Sequence, residues 1–141
     1  MTTFTMSTTL EATYDETVQR VRELLPEAGF GILTEIDLQA TLQAKLGVEV
    51  EPQVILGACR PQLAHRALQA DPRLAAMLPC NVVVAAQSDG TTRVDVFDPG
   101  AMTSFSDAPD LAAVAAEARD LLAGMLAALD ATSEDSHAAR R

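Results

Sequence analysis

The chain has 141 residues, which suits one domain with a single hydrophobic core, because dividing this length in two would leave neither half enough interior. Hydrophobic residues make up 48% of the chain and charged residues 21%, a composition too apolar for a disordered protein. The formal net charge of -10 repels phosphate backbones and anionic lipid, so we expect neither nucleic acid nor a membrane surface as a partner.

The N-terminal residues lack the basic start and continuous apolar run of a secretory signal, and no window of eighteen apolar residues occurs anywhere. These features favour a cytoplasmic protein. In a reducing cytoplasm Cys59 and Cys80 are expected to be free thiols rather than a structural disulfide.

The first third of the chain predicts a strand followed by a helix. Residues 4–12 alternate between apolar and polar, the pattern of a half-buried strand. Thr13 precedes Glu16 by three residues, the spacing of a capping box at a helix start. The apolar spacing that follows predicts a helix that ends at Gly29 and contains Pro26.

The middle of the chain predicts two more strands with a short helix between them. Residues 30–36 are rich in apolar and β-branched types, and Asp37 can cap the helix that follows. Leucines recur every fourth residue up to Gly47, where we expect that helix to end. Residues 53–59 form an apolar strand with no polar face, typical of a strand in the centre of a sheet.

A third helix is expected to begin at Pro61 and to end at Asp71, before a further helical turn. Residues 80–86 and 91–98 then predict a hairpin, because Asp89-Gly90 between them is a strong turn signal.

The last helix is predicted over about 109–129, where apolar residues recur on one broad face. We therefore expect one α+β domain over residues 1–131 and a flexible polar tail over 132–141.

This order of elements predicts a two-layer α+β fold, a mostly antiparallel sheet covered on one face by helices. Strands 53–59 and 80–86 are apolar on both sides, so something must cover the second face of the sheet as well. A further helix or a second subunit would do so, and we expect a homodimer.

Several motifs in a fixed order resemble one family. The motifs are residues 29–37 (GFGILTEID), 55–61 (ILGACRP), 78–82 (LPCNV) and 98–102 (DPGAM). They resemble the bacterial and archaeal family catalogued as domain of unknown function 302, over roughly positions 10 to 130. The resemblance implies a helix-covered sheet similar to the TATA-binding-protein-like architecture, and dimers, but no established activity. Members often carry a small polar residue where this chain has Arg60.

The residues best suited to chemistry are two cysteines and their neighbours. Cys59 ends a strand just before the helix that Pro61 opens, where the positive end of the helix dipole favours a thiolate, and Arg60 would add to this effect. Cys80 begins the next strand. The antiparallel arrangement implied by the resemblance puts both thiols at the same end of the sheet, where they could approach each other.

Three interpretations of these cysteines stay open. Both are small core residues, or Cys59 is the reactive thiolate of a sulfur carrier or redox protein, or the pair binds Cu(I) or Zn with His65. Met77 and Met102 are the other soft donors. The leading functional hypothesis is a binding domain that holds a small ligand or soft species near Cys59, Arg60, His65 and Cys80, with no cofactor identified.

The carboxylates have simpler explanations than acid–base catalysis. Asp37 is expected to cap a helix, Glu35 to be solvated and Asp98 to form a turn, because no nucleophile accompanies them. Gly57, inside an apolar strand, indicates a bulge or a close approach of neighbouring atoms.

Overall fold

A computed structural model describes residues 3–139 and gives a five-stranded antiparallel sheet with helices on one face. The order of the strands across the sheet is β1-β5-β4-β3-β2. Their bounds are β1 Thr5–Leu10, β2 Gly31–Asp37, β3 Gln53–Cys59, β4 Cys80–Ala86 and β5 Thr92–Phe97. The two-layer α+β architecture predicted from the sequence is confirmed.

Four helices and two short 3-10 helices connect these strands. The helices are α1 Tyr14–Glu27, α2 Leu38–Leu46, α3 Pro61–Ala70 and α4 Leu111–Ala139, and the 3-10 helices are Pro72–Met77 and Pro99–Ser104. Within residues 3–139, no helix is both long and apolar enough to cross a membrane.

Local sequence signals determine where several elements begin. The Thr13 hydroxyl accepts a hydrogen bond from the backbone N–H of Glu16 at the start of α1, at 3.2 Å. Asp37 caps α2 in the same way, accepting from the N–H of Ala40 at 2.9 Å. The β4–β5 hairpin turns at Gly90, whose φ of 88° is the left-handed conformation that glycine favours. All three features were predicted.

The core consists of two clusters of buried side chains. The larger cluster lies between the sheet, α1 and the second half of α4, and includes Leu25, Leu56, Val84 and Leu122, all of them fully buried. The smaller cluster joins α3, the two 3-10 helices and the first half of α4. Alternation along β3, β4 and β5 supplies the sheet side of the larger cluster.

Helix α4 extends beyond its predicted end. It continues past Leu129 to Ala139, although apolar spacing ends near Leu129. Nothing larger than alanine after that point is apolar, so the spacing of apolar residues gives no signal there. The predicted flexibility of 132–141 stays a prediction, and residues 140–141 lie outside the described residues.

One part of the fold contributes no buried residue. We call residues 31–50, which contain β2, α2 and the segment after it, the β2–α2 arm. Most of its large apolar side chains are exposed, although Ile32, Leu38 and Leu42 are half-buried. Strand β2 is an edge strand paired only with β3 among the described residues. The large exposed apolar residues of the arm are Leu33, Ile36, Leu46, Val48 and Val50.

Candidate functional site

A small cavity lies where the two core clusters meet, between the ends of β3 and β4 and the helices α3 and α4. Its volume is about 30 Å³. Most of the side chains around it are apolar, and several are small, which is why α3 and α4 leave a gap there. They include Phe30, Ala58, Leu63, Ala67, Leu78, Met102, Ala115 and Ala118.

Cys80 is the buried thiol of this cavity. It begins β4 and pairs with Ala58 of β3, so both side chains are on the side of the sheet that the helices cover. The residue is 7% exposed. Burial, and to a smaller extent the neighbouring Cys59, raise the pKa of the Cys80 thiol to about 11, which keeps the thiol protonated at neutral pH.

Cys59 also borders the cavity but is half-buried, at the end of β3. The antiparallel pairing of β3 and β4 brings both cysteines to one end of the sheet, as expected. The expectation that the thiols form a close pair is not supported, because Cys80 lies opposite Ala58 while Cys59 lies opposite Gly31. Successive residues of a strand point to opposite faces, so this one-residue offset keeps the two thiols from facing each other across the strands, although both residues border the cavity. Both thiols are free.

Arg60 lies at the edge of the same cavity. It occupies the N-cap position of α3, but its side chain makes no capping hydrogen bond. The guanidinium packs against Gly29, which follows α1 and has a φ of 90°. A Cβ atom at Gly29 would overlap this guanidinium, so glycine meets both the backbone and the packing requirement.

His65 is not brought to this site. It is exposed on α3 and does not line the cavity, so the four candidate residues are not one cluster. Among the residues that the structure describes, no group of three or more His, Cys, Asp or Glu side chains has the arrangement of a metal site. Of the two methionines considered as soft donors, Met102 lines the cavity and Met77 does not.

Asp37 and Asp98 have the structural roles that the sequence predicts, and Glu35 differs. Asp37 caps α2, and Asp98 accepts from the N–H of Gly100 at 2.8 Å in the turn after β5. Glu35 was expected to be solvated, and although exposed it forms an ion pair with Arg22 of α1. The close approach expected at Gly57 is also present, since a Cβ there would overlap the Thr34 hydroxyl.

The contribution of α4 to the site was missed, and in the second 3-10 helix only Met102 was singled out from the sequence, as a soft donor. Pro99, Met102, Ala115 and Ala118 form one wall of the cavity, yet they are distant in sequence from Cys59 and Cys80. The one available signal was the pair of alanines on the buried face of α4, since small residues there leave space between a helix and its neighbours.

Comparisons with known proteins identify relatives without an assigned activity. The family model for "Domain of unknown function DUF302" matches residues 6–129. The crystal structure of an uncharacterized conserved DUF302 protein from Bacillus stearothermophilus is similar, with a TM-score of 0.81 and 32% sequence identity. The match covers 89% of this chain and 97% of that one. A search of curated proteins gives no match.

Proposed function

We propose that this chain, which belongs to the DUF302 family, is a binding domain for a small and mainly apolar ligand. The proposed site is the cavity between the sheet and helices α3 and α4. The observation that carries the proposal is that this apolar cavity reaches the buried Cys80 and also borders the half-buried Cys59 and Arg60.

The size of the cavity limits what can enter. A site needs roughly 10 to 15 Å³ for each water-sized occupant, so about 30 Å³ admits about two such atoms or groups. The apolar lining offers a water molecule few hydrogen-bond partners. An apolar group that replaces poorly held water gains affinity, so a short aliphatic segment suits this space.

The alternative functions that depend on the cysteines have less support. The raised pKa of Cys80 makes its thiolate scarce at neutral pH. A metal site would have the two cysteines but no third His, Cys, Asp or Glu ligand among the described residues. The remaining alternative, a sulfur carrier that uses Cys59, predicts rapid alkylation of Cys59 well below pH 8. Slow alkylation of both thiols in the native protein would exclude it.

Nuclear magnetic resonance of methyl groups tests the binding proposal with propanol as the probe. We expect propanol to shift the methyl signals of Ala118 and Leu63, which line the cavity, and to leave those of the β2–α2 arm unchanged. The variant Ala118→Leu fills the cavity and should abolish these shifts. Ala116→Leu, on the exposed side of α4, is the matched control and should retain them.

Two outcomes would contradict this proposal. One is the absence of shifts in the unmodified protein at high millimolar propanol. The other is that Ala118→Leu responds like Ala116→Leu. If Ala118→Leu does not fold, Ala64→Leu, which narrows the cavity from a half-buried position on α3, replaces it in the same comparison.

We also propose that the domain forms a homodimer through the β2–α2 arm. The edge strand β2 has backbone groups on one side without a neighbouring strand, and α2 buries no residue of its own. Two copies related by a twofold axis can pair β2 with β2 and cover the exposed apolar side chains of both arms.

The charges of the arm fit a twofold contact with a second copy. Lys45 lies near Glu49 and Glu51 in sequence, and none of the three has an ion-pair partner among the described residues. An antiparallel meeting of two arms brings the lysine of each copy toward the glutamates of the other. This complementarity offsets part of the repulsion between two chains of net charge -10.

Sedimentation tests the homodimer. We expect the protein to sediment at twice the 14.9 kDa mass of the chain at micromolar concentration. Leu46→Glu, in the arm, should give a folded monomer, whereas Phe105→Glu, at an equally exposed apolar residue outside the arm, should remain a dimer. A monomeric unmodified protein, or a dimer unaffected by Leu46→Glu, would contradict the proposed interface.

A further inference from the structure

Arg60 differs from every other arginine that the structure describes. The others each form an ion pair with an Asp or Glu side chain: they are Arg20, Arg22, Arg66, Arg73, Arg93 and Arg119. Among residues 3–132, whose side chains the structure describes, Arg60 has no ion pair and no side-chain hydrogen bond. In a chain with twenty acidic residues and ten basic ones, an arginine without a carboxylate is an exception that calls for an explanation.

The partial burial of Arg60 makes its lack of a partner energetically unfavourable. Its Nε atom is buried and has no hydrogen-bond acceptor among the described residues. An unsatisfied donor that is removed from water destabilises the folded state, and the cost is larger for a charged group. Since the guanidinium is held against Gly29 and the residue is only partly exposed, water reaches only part of the group.

The same residue lies where a ligand in the cavity would meet solvent. Arg60 borders the cavity at the start of α3, where the positive end of the helix dipole also favours an anion. The planar guanidinium fork matches a carboxylate or a phosphate, because two parallel N–H···O bonds can form. The apolar cavity beside it favours the carboxylate of an aliphatic acid. An acidic group there would supply the missing acceptor while an apolar segment lies in the cavity.

We propose that the ligand is a short aliphatic monocarboxylate, bound with its carboxylate on the Arg60 guanidinium and its hydrocarbon chain toward Cys80. This inference rests on the proposed function and specifies the chemical class of the ligand. Because the cavity of about 30 Å³ takes about two atoms, the best chain has roughly two carbons beyond the carboxylate, as in propionate.

Titration calorimetry or nuclear magnetic resonance tests this with propionate and with propanol, which has the same chain and no charge. We expect propionate to bind the unmodified protein more tightly than propanol. Arg60→Gln should weaken propionate binding roughly tenfold or more, since it removes hydrogen bonds to a charged group, and change propanol binding by less than about twofold. Arg60→Lys, which keeps the charge and loses the fork, should give an intermediate affinity.

Arg66→Gln is the matched control, because Arg66 is also on α3 and is ion-paired with Glu117 at 2.8 Å. This variant should bind propionate as the unmodified protein does. Equal binding of propionate and propanol, or an unchanged propionate affinity in Arg60→Gln, would overturn the carboxylate assignment and leave the cavity proposal intact. Failure of both probes to bind would overturn the cavity proposal itself.

Inorganic phosphate and acetate separate the carboxylate from a general preference for anions. Acetate, whose chain is one carbon shorter, should bind more weakly than propionate, and phosphate should not compete with propionate. If phosphate displaces propionate at equal concentration, Arg60 is a general anion site and the proposed ligand class is wrong.

Discussion

The helix-covered side of the sheet and the β2–α2 arm contain the same kinds of apolar residue. Those residues are buried on the covered side and largely exposed in the arm. On the covered side, leucines and valines such as Leu56 and Val84 are fully buried. In the arm, Leu33 is 65% exposed and Leu46 is 68% exposed. Hydrophobicity alone therefore does not determine burial in this fold.

The difference arises from position in the sheet. Strands β3 and β4 are central, so α1, α3 and α4 can cover one face of them. Strand β2 is at the edge, and α2 packs mainly against β2 and β3. The covered side is thus closely packed apart from a small cavity, whereas the arm has an exposed apolar surface that a partner could cover. The predictions below test this contrast.

The largest expected effect separates a core leucine from an arm leucine. Leu122→Ala removes a fully buried side chain from α4 and should lower the free energy of unfolding by about 2 to 5 kcal/mol. Leu46→Ala should change it by less than about 0.5 kcal/mol in the monomer, because Leu46 is largely exposed. Urea denaturation measures the free energy of unfolding of both variants. A similar loss in the two would contradict the proposed difference between the core and the arm.

A smaller effect is expected at alkaline pH. The Cys80 thiol of the folded protein has a pKa of about 11, against an ordinary value of 9.0. Between these two values the unfolded chain has lost the proton that the folded chain retains, so the stability that is present below pH 9 falls as the pH rises toward 11. The loss should be about 2 to 3 kcal/mol, since each pKa unit corresponds to about 1.4 kcal/mol.

Urea denaturation at a series of pH values tests this. Burial also raises the pKa of Tyr14, so the contribution of Cys80 is the difference between the unmodified protein and Cys80→Ala. Cys59→Ala is the control and should keep most of the decline, because burial is the larger cause of the raised pKa of Cys80. A decline of equal size in Cys80→Ala would show that Cys80 is not its source.

The smallest effect concerns the cap of α2. Asp37→Ala removes the acceptor of the Ala40 N–H and should destabilise α2 by about 1 kcal/mol. Because α2 buries no residue, we expect the loss as faster hydrogen exchange confined to residues 38–46, with little change in global unfolding. Faster exchange in β4 as well would mean that the arm and the core unfold together.

Elements with clear boundaries were predictable from the sequence. The bounds of β3 and β4 match the prediction because Pro52 and Pro79 precede apolar runs that end at polar residues. The end of α4 was not, because the apolar spacing stops near Leu129 whereas the helix continues to Ala139. The order of the sequence motifs also identified the family.

The candidate site was only partly predictable. Cys59, Arg60 and Cys80 were singled out, and all three border the cavity. Whether the two thiols face each other could not be predicted from the sequence, because a one-residue offset in strand register decides it. The isolation of Arg60 depends on which acidic side chains lie nearby in three dimensions, and the sequence alone does not contain that information.

The most direct test of the central claim is the position of bound propionate, measured by nuclear Overhauser effects between its methyl group and the protein. We predict contacts to the methyl groups of Leu63 and Ala118 and to the Cβ protons of Cys80, all around the cavity. Contacts to Leu33 or Leu46 of the arm, with none to Ala118, would contradict the account.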